Sequence, residues 1–329
     1  MERLFEGVRA HRFAESICFL CGVDITPGSD TVEHVIPKWL QSKFALWNVR
    51  VQLLNGTLIK YKDLVIPCCQ TCNNVHLARV EQVVSASVLA GPEAVRSMDR
   101  VALMQWLLKI FFGFLYREIF LPVDRSKPAD GMILSGEDMQ QFQMLHYMLQ
   151  SVRLPMTFSG FDSSVPASVF VFEVKDESGG FNFDYKDDVV NRCMCLRMGR
   201  VGILVAFDAG AQTVEGADYF PKYFRRALHP IQFDELAANL FAKARLLQVN
   251  PGIMMAETES SVSFTVMPFT CSPTGQVFAD MTPEDVGEHL WRFTNLPREV
   301  VLPEAGRRIT FLTNEHGDFR DMPVDGTDD

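Results

Sequence analysis

Apolar and polar residues fall into several distinct patterns along the chain. From Asn73 to Ala90 the spacing is helical, with Val75, Val80, Val83 and Val84 available for one face, and Gly91-Pro92 interrupts it. A helix is expected there, followed by a domain boundary near residue 91. The stretch 98–120 is apolar almost throughout, with Trp106, Leu107, Leu108, Ile110, Phe111, Phe112, Phe114, Leu115 and Tyr116. Lys109 sits in its middle and Arg117 and Glu118 follow it. A membrane span needs roughly 20 nearly uncharged residues, so a buried core helix is predicted instead.

Further along, a helix over 137–152 ends before Pro155, and strand-like runs cover Ser168–Val174, Met194–Asp208 and Val262–Met267. An amphipathic helix is expected at Phe233–Leu247. Strands and helices do not alternate with a regular period, which predicts an α+β fold. Residues 1–90 then form a small module and 91–329 a larger α+β domain. The first fifteen residues read as a leading helix or an arm. Residues 317–329, acidic and poor in apolar side chains, are expected to fray.

Charge changes this picture. The net formal charge of −10 excludes a protein that coats nucleic acid by bulk electrostatics, since affinity for that polyanion comes from Lys and Arg displacing counterions. Residues 1–82 are nearly balanced, with nine Lys or Arg against eight Asp or Glu, so the acidity lies in the remainder. Any nucleic-acid surface is therefore local.

Four of the eight cysteines form two pairs, Cys18-Phe19-Leu20-Cys21 and Cys69-Gln70-Thr71-Cys72. Two residues between cysteines let both thiolates reach one tetrahedral ion, and two such pairs close a structural Zn²⁺ site. Cys68 is an alternative to Cys69, with a three-residue gap to Cys72. Cys193, Cys195 and Cys271 read as core residues. With no signal peptide, this cysteine usage fits a reducing compartment, and a cytoplasmic location is expected. A four-thiolate zinc has no open coordination position, so any hydrolytic chemistry must lie between the knuckles.

There the chain reads Thr31-Val32-Glu33-His34-Val35-Ile36-Pro37-Lys38-Trp39-Leu40, and past the second knuckle Cys72-Asn73-Asn74-Val75-His76. The order Cys-x-x-Cys, Glu-His-Val-Ile-Pro, Cys-x-x-Cys-Asn-Asn resembles the HNH family of ββα-metal endonucleases, in its zinc-binding Glu-His-x-x-Pro variety. The resemblance covers about 65 of the 329 residues. It implies that Glu33 binds a divalent ion and that His34 activates water, a role suited to an imidazole neutral at physiological pH.

Asn73 stands where the family places its helix-borne metal ligand, and His76 is a second candidate for that ligand or for a phosphate contact. The family's middle polar residue, which orients the imidazole, falls at about Asp63. Asn55 is the runner-up, although Asn55-Gly56 reads first as a hairpin turn. Oxygen ligands suit Mg²⁺ or Mn²⁺, whereas an added His would favour Ni²⁺ or Zn²⁺. Lys38, Lys43, Arg50, Lys60, Lys62 and Arg79, with Trp39 and Trp47 interleaved, either track a phosphate backbone or form a solvated face.

The expected activity is phosphodiester hydrolysis by a metal-dependent endonuclease, with double-stranded DNA as first substrate. The alternative is a non-catalytic zinc-binding module that contacts nucleic acid or protein. His146, His229, His289 and His316 are scattered singly and read as structural or surface residues. For 91–329 the candidate roles are recognition, regulation or homo-oligomer formation, and no membrane partner is expected.

Overall fold

The computed structural model describes residues 3–8, 12–25, 30–134, 136–160, 165–176, 182–215, 218–249, 252–267 and 276–324. Its first regular element is β1 (Asp30–His34), after which Pro37 opens α1 (Lys38–Lys43). A hairpin of β2 (Arg50–Gln52) and β3 (Leu58–Lys60) follows, turning at Asn55-Gly56 as expected. There Gly56 takes φ +76°, and the Asn55 side chain accepts from Thr57 N at 3.1 Å. A 3₁₀ turn at Tyr61–Asp63 leads into β4 (Val65–Cys69), which runs antiparallel to β1 with Asp30 opposite Cys69 and His34 opposite Val65.

The expected helix past the second knuckle begins with a π-helical turn, Cys72–Leu77, and continues as α2 (Ala78–Ala90). Then come α3 (Pro92–Ser97), α4 (Arg100–Glu118), α5 (Gly136–Gln140) and α6 (Gln143–Leu149). The helix expected over 137–152 is thus divided, and it ends in a 3₁₀ turn at Gln150–Val152.

The chain divides into two units. The first comprises Met1–Ala86, Asp99–Thr157 and Glu257–Val262, and the second comprises Ser87–Met98, Phe158–Ala256 and Ser263–Asp329. The apolar helix α4, although past residue 91, therefore belongs with the cysteine knuckles. Asp99 caps it by accepting from Val101 N and Ala102 N. Side chains from Leu103 to Tyr116 are buried on almost every face, as its lack of a polar stripe dictates.

Gly113 lets α4 approach the end of β1, since a Cβ there would stand 2.8 Å from Val35 Cγ1. Lys109, one turn earlier on the same face, points the same way. The N-terminal residues form a packed arm, with no helix among those described. Phe5 exchanges backbone hydrogen bonds with the Gln150 amide at 2.8 and 2.9 Å, and Phe13 meets Tyr116 edge-on.

From Met156 onward the elements follow in the order β5 (Met156–Gly160), β6 (Ser168–Val174), β7 (Phe183–Asp188), β8 (Cys193–Met198), β9 (Val201–Ala206), α7 (Ala211–Glu215), β10 (Ala227–Leu228), α8 (Pro230–Arg245), β11 (Ile253–Glu257), β12 (Val262–Val266), α9 (Pro283–Thr294) and α10 (Arg298–Val301). The run Met194–Asp208 is not one strand but a hairpin, with β8 and β9 joined at Gly199-Arg200. Five strands form a sheet of order β10-β6-β9-β8-β7, and β11-β12-β5 form a smaller one.

Phe233, Leu236, Leu240 and Phe241 of α8 pack with Phe172, Leu204, Cys193 and Cys195 of the larger sheet, so the two cysteines are core residues as expected. Cys271 lies outside the described residues. Residues 317–324, expected to fray, are instead tied down. Arg320 N donates to Leu312 O at 3.0 Å, Gln232 Nε2 to Arg320 O at 2.6 Å, and Lys175 Nζ to Met322 O at 2.7 Å. The architecture is mixed α+β, and among the described residues no helix is long and apolar enough to cross a membrane.

Candidate metal centre and histidine site

The knuckles meet because β4 ends beside the loop that carries the first pair, with Phe19 N donating to Pro67 O at 3.0 Å. The sulfurs of Cys18, Cys21, Cys69 and Cys72 all lie within 4.8 Å of one another, and Cys21 Sγ is 3.8 Å from Cys69 Sγ. A tetrahedral zinc with 2.3 Å bonds separates its sulfurs by about 3.8 Å, so the quartet fits that ion. Cys68 is fully buried and is not one of the four.

Electrostatics also favour a cation here, without choosing between Cys68 and Cys69. The neighbouring thiols of Cys21, Cys68 and Cys72 stabilise a Cys18 thiolate and draw its pKa far down. That thiolate in turn pushes Cys21 up to about 12 and Cys72 higher still. Thiols packed this closely, Cys68 beside the quartet included, hold one negative charge readily and resist more, a conflict that a divalent cation removes.

His34 ends β1, the residue 9% exposed and its ring stacked on Trp47, the centroids 6.0 Å apart and the planes at 21°. Burial first, then the charges of Lys38 and Lys109, hold its pKa below the usual 6.5, so the imidazole is neutral at pH 7. Among the described residues neither ring nitrogen has a hydrogen-bond partner. Asp63 is exposed and makes no hydrogen bond to His34. The Asn55 amide donates to Pro122 O at 3.1 Å. Stacking, rather than a hydrogen bond, therefore sets the plane of this ring.

Glu33 points to the other side of β1, as adjacent strand residues must. Its carboxylate is buried and pairs with Lys109, whose ammonium also reaches Glu81 Oε1 at 2.9 Å and the carbonyl oxygens of His34 and Val35 at 2.6 and 3.3 Å. Burial raises the Glu33 pKa to about 6 although Lys109 opposes the shift. Burial alone would discharge Lys109, but the two carboxylates outweigh it and raise its pKa.

The Asn73 amide donates to Thr31 Oγ1 at 3.1 Å and to Val32 O at 3.2 Å, which latches the π turn to β1. In that wide turn three residues fall short of a full revolution, so His76 does not share the face of Asn73 as the α-helical spacing suggested. His76 is half-buried and makes no hydrogen bond or ion pair among the described residues. Of the Mg²⁺ or Mn²⁺ donor set expected from Glu33 and Asn73, the carboxylate is engaged by an ammonium, whereas the Asn73 latch uses Nδ2 and leaves Oδ1 without a partner among the described residues. These residues do not present a fitted divalent site.

Lys38 and Lys43 are exposed, and Lys43 lies 5.7 Å above the Phe44 ring. The Arg79 guanidinium donates to Val152 O at 3.3 Å. Trp39 is half-buried, its ring stacked on Trp106 and its indole nitrogen enclosed. Sequence reasoning missed Glu81, Lys109 and Trp47 as neighbours of the Glu33-His34 pair. A lone Lys within an apolar helix was the one available signal, because such a charge must find a buried partner. Compared with known proteins, the chain matches no family model, no curated protein and no solved structure.

Proposed function

We propose that the chain is a zinc-stapled nuclease of HNH type that hydrolyses nucleic-acid phosphodiesters, with His34 as the general base. The observation that carries this reading is the placement of His34. A neutral imidazole with unpartnered nitrogens ends a strand whose partner strand and following helix are joined at the cysteine quartet. In the step it serves, His34 takes a proton from water as the water oxygen bonds to phosphorus. The bond from phosphorus to the leaving sugar oxygen breaks with its electron pair on that oxygen, which takes a proton from water, and the imidazolium releases its own proton to solvent. No step is derived through Glu33 or Asn73.

The engagement of Glu33 by Lys109 favours a second reading, a non-catalytic zinc-binding module that contacts nucleic acid or protein. Incubation of purified protein with supercoiled plasmid separates the two. Mg²⁺, Mn²⁺, Ni²⁺ and a mild chelator are added in turn, beside His34→Ala protein of equal zinc content. Cutting by the wild type alone supports the nuclease, with a rate that declines only as pH falls below about 6.5. No cutting under any condition, on duplex or single strands, leaves the binding module.

A further inference from the structure

Residues 38–62 contain five cations, Lys38, Lys43, Arg50, Lys60 and Lys62, and no Asp or Glu, within a chain of net charge −10. Lys38, Lys43 and Arg50 are exposed and the other two half-buried. Among the described residues none of the five makes an ion pair. Several cations elsewhere are neutralised in place, Lys175 by Asp321, Lys186 by Asp234 and Arg308 by Glu235, although others such as Lys222 and Arg225 also make no ion pair among the described residues. An unpaired run of this kind in an acidic protein is a local field suited to a polyanion.

Trp47 stands within the run. One face of its indole lies along His34, yet the residue is 45% exposed. Shielding His34 uses only part of the ring. Trp39, eight residues earlier, is half-buried with its ring stacked on Trp106. Exposed aromatic rings set among cations are how proteins hold unpaired nucleotides, the ring taking the face of a base and the cations its phosphates. A regular duplex offers base edges and phosphates but no free base face, and would leave this indole unused.

We propose that Trp47 is a stacking platform for an unpaired nucleobase, and that single-stranded nucleic acid lies along residues 38–62 beside His34. This narrows the substrate of the nuclease reading, on which it rests only for the role of His34. Binding to the platform is independent of cleavage. Duplex DNA, the first substrate suggested by the sequence, becomes the weaker ligand.

The test is fluorescence anisotropy of the full chain with labelled oligonucleotides of one sequence: single-stranded DNA, single-stranded RNA and the DNA duplex. Oligonucleotide integrity is checked on a gel after each titration. The single strands are expected to bind more tightly than the duplex, and the tighter of the two identifies the preferred sugar. Trp47→Leu weakens single-strand binding by about 5- to 150-fold, the range of a lost base–aromatic stack, and leaves duplex binding unchanged. Trp47→Phe retains most of the affinity and, if Trp47→Leu loses zinc, carries the test through its missing share of tryptophan quenching by the single strand.

Equal binding of duplex and single strand, no binding of either, or single-strand binding indifferent to both substitutions overturns the proposal. Tight, Trp47-dependent binding without any cutting would overturn the nuclease reading and leave the platform standing. Duplex cutting indifferent to Trp47 would do the reverse.

Discussion

The Lys109 ammonium and the Glu33 carboxylate meet inside the first unit, their side chains 1% and 8% exposed. The same ammonium binds Glu81 and the carbonyl oxygen of His34. One buried cation thereby ties the end of β1 to α2 and α4, and it fixes the backbone from which the His34 imidazole projects.

Replacing Lys109 by Met leaves two carboxylates close together without their cation, at a cost of about 3–5 kcal/mol. A fall in Tm on the order of 10 °C is expected, and adding Glu33→Gln and Glu81→Gln recovers much of it. Thermal melts followed by circular dichroism measure both. A Lys109→Met protein that melts with the wild type would show that the pair contributes nothing to the fold.

Asn73→Asp separates two roles for that side chain. A metal ligand acting through Oδ1 would tolerate Asp, which keeps the oxygen. A latch acting through Nδ2 would not, because Asp has no proton for Thr31 or Val32. The geometry predicts that Asp destabilises at least as much as Ala, by about 1 kcal/mol or more. Denaturant titration reads the difference, and an Asp variant as stable as wild type rules out the latch.

Zinc should be present at one ion per chain, and Cys69→Ser should lower both its content and Tm. Cys68→Ser should retain it, since Cys68 is outside the quartet. Metal analysis of the two proteins decides between the adjacent cysteines, and loss of zinc from the Cys68 variant alone would reverse the assignment.

His146 bonds Phe19 O at 2.8 Å between the cysteines of the first knuckle, and burial lowers its pKa to about 4. Between pH 6.5 and 4 the unfolded chain binds this proton and the folded chain does not. The stability associated with neutral His146 is therefore complete above pH 6.5 and is lost as pH falls toward 4, by about 3 kcal/mol. Melts of wild type and His146→Phe at pH 7 and pH 4.5 should show wild type losing ground to the variant in acid. A constant gap would mean that His146 is protonated in the fold.

Local signals in the sequence were sufficient for much of this protein. The Cys-x-x-Cys spacings, the Asn55-Gly56 turn, the α+β mixture and the apolar helix around Lys109 depend on residues a few positions apart, where backbone geometry alone sets what can meet. The centre around His34 depends on partners far along the chain. Lys109 lies 75 positions from His34, whose carbonyl it holds. His146 lies 127 positions from Phe19. No spacing rule joins such pairs, because they meet only when burial of α4 and α6 brings their polar groups out of water and forces each to find a partner. The sequence by itself determined the two Cys-x-x-Cys pairs and marked out the Glu33-His34 pair, while the choice of Cys69 over Cys68 came from the fold. The tertiary structure alone decided that Glu33 is neutralised by an ammonium, that Asn73 latches a strand, and that an exposed indole stands against His34.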